Sequence, residues 1–166
     1  MSNILHKFSK IDTFIFDVDG VFTDSSLIVT EEGHLLRVMN ARDGYSVRHA
    51  VDKGYNIIII TGGNSEGVRK RLEGLGPKHV YIAVRDKLKL YKDLVADGTI
   101  NPDSSIYMGD DLPDLDVMKE IPMTACPNDA AEEILAISDY VSPMAGGKGA
   151  VRDLIQTVLK VQKKWL

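Results

Sequence analysis

Four consecutive isoleucines at residues 57–60 constrain the fold of this chain more than any other stretch. A strand that is apolar at every position must be covered on both faces, and a parallel sheet flanked by helices provides that environment. Further β-prone runs at residues 14–16, 80–84 and 105–108 alternate with segments of helical pattern. The chain is therefore predicted to form an α/β domain, a Rossmann-like three-layer parallel sheet with helices on both faces.

Size and charge limit how the chain is organised and what it binds. Its 166 residues, 44% hydrophobic and 27% charged, suffice for one globular domain, so residues 1–166 are predicted to form a single unit. The net charge of -4 disfavours nucleic acid or an anionic membrane as a partner, because both require a basic surface. The lone Cys126, the absence of a signal-peptide pattern and the lack of a bilayer-length apolar run indicate a cytoplasmic protein.

Two carboxylates, Asp17 and Asp19, follow the apolar run at residues 14–16 and precede Gly20. Unpaired carboxylates are costly to bury, so an acidic pair at the end of a hydrophobic strand requires a cation. In open α/β sheets, ligands bind at the carboxyl ends of the strands. On this stretch alone, two solvated surface acids remain an alternative to a ligand site.

Polar side chains also follow the other predicted strands. Thr61-Gly62 comes directly after the isoleucines, where a hydroxyl and free backbone N–H groups can bind a phosphate. Lys87 opens a helix, and Asp110 and Asp111 follow the last apolar run. Phosphoryl transfer requires such a set, because a phosphomonoester dianion and an attacking carboxylate repel each other unless cations lie between them. Mg²⁺ prefers oxygen ligands, while Lys87 and Thr61 add a positive charge and a hydrogen bond.

The order of these motifs resembles that of the haloacid dehalogenase superfamily of phosphatases. The resemblance covers about residues 13–159, and four motifs in order are more specific than any one of them. They are Asp17-Val-Asp19-Gly20-Val with Thr23-Asp24, then Thr61-Gly62, then Lys87, and finally Gly109-Asp110-Asp111 with Asp114.

The resemblance implies a role for each motif residue. Asp17 would be the nucleophile that forms an aspartyl-phosphate, and Asp19 would protonate the leaving alcohol and then activate water. Mg²⁺ would be bound by Asp17, the backbone carbonyl of Asp19 and Asp110. Thr61 and Lys87 would hold the phosphoryl group.

Within the superfamily, the chain resembles most the phosphatases of 3-deoxy-D-manno-octulosonate 8-phosphate, in lipopolysaccharide sugar biosynthesis, and of nonulosonate 9-phosphates. The shared stretches are residues 17–24, 40–45 and 146–152 together with a predicted hairpin. The resemblance implies a phosphorylated sugar acid as substrate. Gly63 and Gly74, where bulky charged residues would suit a longer sugar, favour the eight-carbon acid over the nine-carbon, sialic-acid-type alternative.

A phosphorylated sugar acid has a carboxylate as well as a phosphate, so a second cationic contact is expected. Arg71 is the favoured candidate, and Arg69 and Lys148 are others, although each could equally be a surface cation. The predicted substrate-binding residues are Gly62, Gly63, Arg71 and Arg42.

A β-hairpin is predicted at about residues 25–38, around Gly33. It is either a structural addition at the edge of the sheet or a flap over a site. Only 44 residues separate Asp17 from Thr61, and 26 separate Thr61 from Lys87, so no cap domain fits. A bare site would admit water, and the resemblance implies a homotetramer in which neighbouring chains complete each site.

Two other classes of protein also fit part of this pattern. A receiver domain of a signalling system uses an acidic cluster, Mg²⁺, a threonine and a lysine around a phosphorylated aspartate. Asp19 favours the phosphatase, because a receiver needs no acid two residues beyond the nucleophile. A catalytically idle interaction subunit is the third interpretation, and the intact motifs disfavour it.

Overall fold

The computed structural model describes residues 2–166, in which a parallel sheet lies between two layers of helices. Within this range, no helix combines the length and apolarity needed to cross a membrane. The strands are β1 (Thr13–Phe16), β2 (Ile28–Val29), β3 (Leu35–Leu36), β4 (Asn56–Ile60), β5 (His79–Tyr81), β6 (Ser105–Met108), β7 (Thr124–Cys126) and β8 (Tyr140–Val141). The helices are α1 (Ser2–Phe8), α2 (Ala41–Asp52), α3 (Glu66–Glu73), α4 (Lys87–Ala96), α5 (Leu112–Glu120), α6 (Glu132–Ile137) and α7 (Ala150–Val161).

The main sheet has six parallel strands in the order β5-β4-β1-β6-β7-β8. Strand β1 is central, and its last residue, Phe16, is level with Ile59 of β4 and Met108 of β6. The carboxyl ends of these three strands therefore meet at one edge of the sheet. Residues that directly follow them are brought together there, as the sequence predicts.

Side chains of the central strands alternate between two buried cores. Phe14, Phe16, Ile57 and Ile59 pack in the core that α1, α2, α3 and α7 cover. Ile15 packs with Ile58 and Ile60 in the core under α4, α5 and α6. Apolar residues on both faces of one strand require this double cover, so the three-layer α/β prediction is confirmed.

The strand predicted at residues 80–84 ends earlier than the pattern suggests. Strand β5 stops at Tyr81, and Ala83 adopts a positive φ of 54°, which an extended strand does not allow. The N–H of Ala83 donates to the carbonyl of Gly63, and that of Val84 donates to the carbonyl of Thr61. These two bonds turn the chain towards the end of β4 and place Val84 beside it.

The predicted hairpin is present as a separate two-stranded antiparallel sheet, in which Ile28 pairs with Leu36 and Val29 with Leu35. Its apolar side chains are exposed to solvent. Between β1 and β4 the chain adds only this hairpin and α2, and between β4 and α4 only α3 and β5. In the described part of the chain, no cap domain stands over the carboxyl edge of the sheet.

Candidate active site

A cavity of about 320 Å³ opens at the carboxyl edge of the sheet. It lies where β1, β4 and β6 end, and it contains residues from all four predicted motifs. The residues that line it are Asp17, Asp19, Ser25, Thr61, Gly62, Gly63, Val84, Arg85, Lys87, Asp110, Asp111 and Pro113.

Asp17 is the first residue after β1, and its backbone N–H donates to the carbonyl of Met108. The side chain is nearly buried. Its Oδ1 accepts a hydrogen bond from the N–H of Val18 at 2.6 Å, and its Oδ2 lies 2.8 Å from Nζ of Lys87. Both oxygens are thus fixed, one by the backbone and the other by a cation.

Asp110 lies against the loop that follows Asp17. Gly20 has a φ of 82°, and a Cβ at that position would lie 1.8 Å from Oδ2 of Asp110. Only glycine combines that backbone conformation with such a close approach. Among the residues that the structure describes, none donates a hydrogen bond to the buried Oδ1 of Asp110, so one carboxylate oxygen of the site is left unsatisfied.

Burial and mutual repulsion make these carboxylates hard to ionise. Burial, followed by the charge of Asp114, raises the pKa of Asp17 to about 7 even though Lys87 opposes the shift. Burial, followed by the charge of Asp17, raises the pKa of Asp110 to about 8. The cluster has more negative charge than its protein partners neutralise, and a divalent cation would remove the deficit.

The donor set fits Mg²⁺. Carboxylate oxygens of Asp17, Asp110 and Asp114 lie within 4.8 Å of one another, and hard oxygen ligands are those that Mg²⁺ prefers. Asp114 is fully buried and does not line the cavity, whereas Asp17 and Asp110 do. The residues that could hold the metal are therefore Asp17 and Asp110, together with the backbone carbonyl of Asp19, which the resemblance to the superfamily implies.

Asp114 holds Lys87 in place. Its fully buried carboxylate accepts from Nζ of Lys87 at 2.7 Å and from the hydroxyl of Tyr107 at 2.6 Å through Oδ1, and from the N–H of Asp110 at 3.1 Å through Oδ2. Gly109 is required beside it, because a Cβ there would lie 2.5 Å from Cγ of Asp114. Burial lowers the pKa of Lys87, but the charges of Asp17 and Asp114 outweigh burial and raise it, so the ammonium stays charged.

Lys87 reaches this position because Asp86 begins helix α4. The Asp86 side chain accepts from the N–H of Lys89, so Lys87 is the first residue of the helix and points back towards β1. The helix dipole disfavours a cation there, but two carboxylates offset that cost. The sequence predicted Lys87 at the site but gave no signal for its support by Tyr107.

Asp19 is paired with a residue that the sequence analysis missed. Nε of Arg37 lies 2.7 Å from Oδ1 of Asp19, and Nη2 of Arg37 lies 2.9 Å from Oδ2. Arg37 directly follows β3, so the hairpin reaches into the site. No motif pointed to Arg37, because its position depends on where the hairpin folds and not on any periodic pattern.

Thr61 follows β4 as predicted, and its hydroxyl oxygen accepts from the N–H of Gly63 at 3.1 Å. With Gly62 and Gly63 it forms one wall of the cavity. Arg85 also lines the cavity and is exposed, which puts a second cation near Lys87. Its spacing of two residues from Lys87 is the only sequence signal that could have identified it.

The substrate-binding cations predicted from the sequence lie outside this cavity of the same chain. Arg42 and Lys148 line a separate cavity of about 350 Å³ next to α7. Nζ of Lys148 pairs with Asp24 at 3.1 Å. The guanidinium of Arg71 lies beside Gly44 of α2, since a Cβ on Gly44 would be 2.6 Å from Nη2 of Arg71.

Known proteins of similar sequence and similar fold show which family has this arrangement. No protein-family model matches the chain. The 3-deoxy-D-manno-octulosonate 8-phosphate phosphatase KdsC of Escherichia coli K12 is 35% identical over 163 residues, 98% of this chain and 87% of that protein. The crystal structure of 3-deoxy-D-manno-octulosonate 8-phosphate phosphatase from Moraxella catarrhalis, in complex with a magnesium ion, a phosphate ion and a KDO molecule, superposes with a TM-score of 0.94 at 33% identity. It covers 99% of this chain and 95% of the other.

A Legionella pneumophila protein described as a hydrolase of the HAD superfamily, subfamily III A, also superposes with a TM-score of 0.94. It shares 33% identity over 99% of this chain and 91% of its own. Fold and acidic site together define a phosphatase of the haloacid dehalogenase superfamily. The chain belongs to the 3-deoxy-D-manno-octulosonate 8-phosphate phosphatase family, as its identity over nearly the full length shows. Family membership favours the enzyme over the receiver domain and the idle subunit.

Proposed function

We propose that this enzyme hydrolyses 3-deoxy-D-manno-octulosonate 8-phosphate to the free sugar acid and inorganic phosphate, with Mg²⁺ as cofactor. One observation carries the proposal: Asp17 faces the cavity between a charged Lys87 and the unsatisfied carboxylate of Asp110. A carboxylate at such a position can attack phosphorus once the charges around it are balanced. The eight-carbon substrate is supported by the names of the relatives at 33–35% identity.

The first step forms an aspartyl-phosphate on Asp17. A carboxylate oxygen of Asp17 attacks phosphorus, the bond from phosphorus to the sugar oxygen breaks, and Asp19 gives its proton to the leaving alkoxide. In the second step, Asp19 takes a proton from water as the water attacks the same phosphorus. The bond to Asp17 then breaks, which releases inorganic phosphate and restores both carboxyl groups.

Lys87 and Thr61 hold the transferring group between these steps. The Lys87 ammonium supplies a fixed positive charge within 2.8 Å of Asp17, and the Thr61 hydroxyl and nearby backbone N–H groups supply hydrogen bonds. When bound by Asp17, Asp110 and the carbonyl of Asp19, Mg²⁺ supplies charge that reduces the repulsion between the phosphate and the carboxylates. Arg85 at the rim of the cavity adds a second attraction for a dianionic substrate.

The exposed hairpin supports association of the chain with copies of itself. Ile28 and Val29 on β2 are 56% and 66% exposed, and Val38 beyond β3 is 71% exposed. Such a concentration of exposed apolar residues is typical of an interface. We propose a homotetramer joined through the hairpins, in which Arg71 of a neighbouring chain contacts the substrate carboxylate, with Arg42 as the second candidate.

Sedimentation velocity tests this assembly. The Ile28→Asp variant should sediment as a smaller species than the wild type, because a charge in an apolar interface is costly. Val141→Asp is a matched control, since Val141 is 42% exposed on β8, a strand of the main sheet and not of the hairpin. A monomeric wild type with full activity would contradict the proposal.

The nine-carbon acid is the second candidate substrate. The small residue Gly63 favours the eight-carbon acid, but glycine at this position is also explained by packing within the chain. A Cβ there would lie 3.1 Å from Nη2 of Arg37 and 3.2 Å from Oδ2 of Asp19. Substrate length must therefore be measured.

We also propose that residues 1–166 act as one catalytic unit in the cytoplasm. A phosphorylated sugar acid carries several charges and does not cross a lipid bilayer unaided, so the enzyme is expected where the substrate is made. Fractionation of cells that produce the protein would test the compartment. Activity recovered outside the cytoplasmic fraction would contradict the proposal.

Phosphate release from a panel of sugar phosphates, with Mg²⁺ and with EDTA, tests the function. The eight-carbon keto-acid phosphate should give the highest kcat/KM, and EDTA should abolish turnover. Asp17→Asn should be inactive, whereas Asp116→Asn, which removes an exposed carboxylate of α5, should match the wild type. A flat profile across the panel would refute the substrate assignment, and metal-independent turnover would refute the cofactor.

A further inference from the structure

Arg37 binds Asp19 through two parallel hydrogen bonds, from Nε to Oδ1 at 2.7 Å and from Nη2 to Oδ2 at 2.9 Å. A guanidinium and a carboxylate joined in this way share a plane, so the arginine sets the orientation of the acid as well as its position. The Arg37 side chain is 7% exposed, against 35% for Asp19. The arginine is therefore the enclosed partner, and Asp19 is the one that faces the cavity.

The side chain of Arg37 is itself fixed by its surroundings. Its remaining guanidinium nitrogen, Nη1, donates to the carbonyl of Leu35 at 2.9 Å, which ties the side chain to its own hairpin. The backbone of Gly63 packs against the pair, because a Cβ there would contact both Nη2 of Arg37 and Oδ2 of Asp19. Arg37 also lines another cavity of about 460 Å³ between the hairpin and residues 64–67, whereas its partner Asp19 lines the active-site cavity.

We propose that Arg37 is a positioning residue, which orients the carboxyl group of Asp19 for proton transfer and makes that step depend on the hairpin. The inference rests on the proposed function, in which Asp19 is first an acid and then a base. Both oxygens of Asp19 are paired with Arg37 in this structure, and proton transfer requires one of them. In the acid step, one oxygen of Asp19 is released from Arg37, takes up a proton from solvent and donates it to the leaving-group oxygen, and in the base step the same oxygen accepts a proton from water. The other oxygen keeps its hydrogen bond from Arg37, which holds the carboxyl group in orientation.

Two other roles for Arg37 predict different kinetics. A purely structural arginine would affect all steps through loss of fold. An arginine that binds the sugar carboxylate would change KM for sugar acid phosphates and leave the acid–base steps alone. A positioning role affects the steps in which Asp19 moves a proton and leaves the attack by Asp17 intact.

Rapid-mixing kinetics with p-nitrophenyl phosphate separate these roles. The nitrophenolate leaving group departs without a proton, so attack by Asp17 does not need Asp19, whereas hydrolysis of the aspartyl-phosphate does. Arg37→Met should give a burst of about one p-nitrophenolate per active site, followed by a steady state slower than wild type by on the order of tenfold or more. With the sugar acid phosphate, kcat should fall by about 10- to 100-fold, and KM should stay within about twofold.

Two further variants complete the experiment. Arg37→Lys keeps the positive charge but not the bidentate contact with Asp19, so the kcat of this variant should lie between those of the wild type and Arg37→Met. Arg48→Met removes an exposed arginine that pairs with Asp52 on α2, and it should match the wild type. If Arg37→Met fails to fold, Arg37→Lys alone carries the test, with a burst and a reduced steady state expected.

Three results would overturn the inference. A raised KM for the sugar acid phosphate with unchanged kcat would assign Arg37 to substrate binding. Equal losses on both substrates without a burst would make its role structural. Wild-type kinetics in both Arg37 variants would leave it no role. Because the wild type is assayed alongside with Mg²⁺ and with EDTA, failure of the proposed function appears there and is separate from failure of the role of Arg37.

Discussion

Replacing Asp110 by asparagine should make the metal-free protein more stable at pH 8. The pKa of Asp110 rises from an ordinary 3.8 to about 8 in the fold, through burial and then the charge of Asp17. Between these two values the folded protein binds more protons than the unfolded chain, so its stability falls as pH rises through the window. Asparagine does not ionise, so the free energy of unfolding of the variant does not fall with pH through this group.

The structure sets the size of the effect. One pKa unit corresponds to about 1.4 kcal/mol, so a shift of about four units would amount to roughly 6 kcal/mol in a fully enclosed site. Asp110 borders the open cavity, where solvent screens its charge, so we expect about 2 kcal/mol. In a chain of this length that corresponds to a rise in Tm of about 4–8 °C at pH 8.

Thermal unfolding in EDTA at pH 5 and pH 8 measures this effect, with Asp116→Asn as the control. The variant should exceed the wild type at pH 8, and the difference should shrink at pH 5, where Asp110 of the folded wild type keeps its proton. Mg²⁺ should raise the Tm of the wild type far more than that of Asp110→Asn, because the variant lacks a ligand. If Asp110→Asn were no more stable at pH 8, or if Mg²⁺ stabilised both equally, the idea of an uncompensated charge would be wrong.

Two further substitutions test residues that pack against the carboxylates of the site. Tyr107→Phe removes the hydroxyl that donates to Asp114 at 2.6 Å. Steady-state assays should therefore show kcat lowered by about three- to tenfold, and the free energy of unfolding should fall by about 1 kcal/mol. An unchanged kcat would show that the hydroxyl has no role in catalysis. Gly20→Ala would force a Cβ into Asp110, so Mg²⁺-dependent phosphate release should fall by about 100-fold or more. Gly98→Ala is its control, because Gly98 has the same φ of 82° and open space around it, so equal losses in both variants would trace the effect to backbone strain.

Much of the fold and the centre of the site follow from the sequence. The isoleucines of β4 require cover on both faces, and parallel pairing then brings the residues after β1, β4 and β6 to one edge. Local sequence therefore places Asp17, Thr61 and Asp110 together. Their chemical roles remain predictions until the variants are measured.

The missed residues depend on long-range geometry. Arg37 reaches Asp19 only because the hairpin bends over the sheet edge, and two-residue strands have no periodicity that reveals such a path. Tyr107 lies within a buried strand, so the sequence pattern predicts only a core residue, although its hydroxyl donates to Asp114 on α5. Arg85 is brought to the cavity by the turn at Ala83, which a β-prone run does not predict.

Trapping the phosphorylated enzyme shows which carboxylate attacks phosphorus. The enzyme would be stopped with acid during turnover, treated with borohydride, which reduces an acyl phosphate to an alcohol, and digested for mass spectrometry. Homoserine is expected in place of Asp17 in the wild type, and no conversion is expected in Asp17→Asn. Conversion at another carboxylate such as Asp110, or none under conditions of rapid phosphate release, would contradict attack by Asp17.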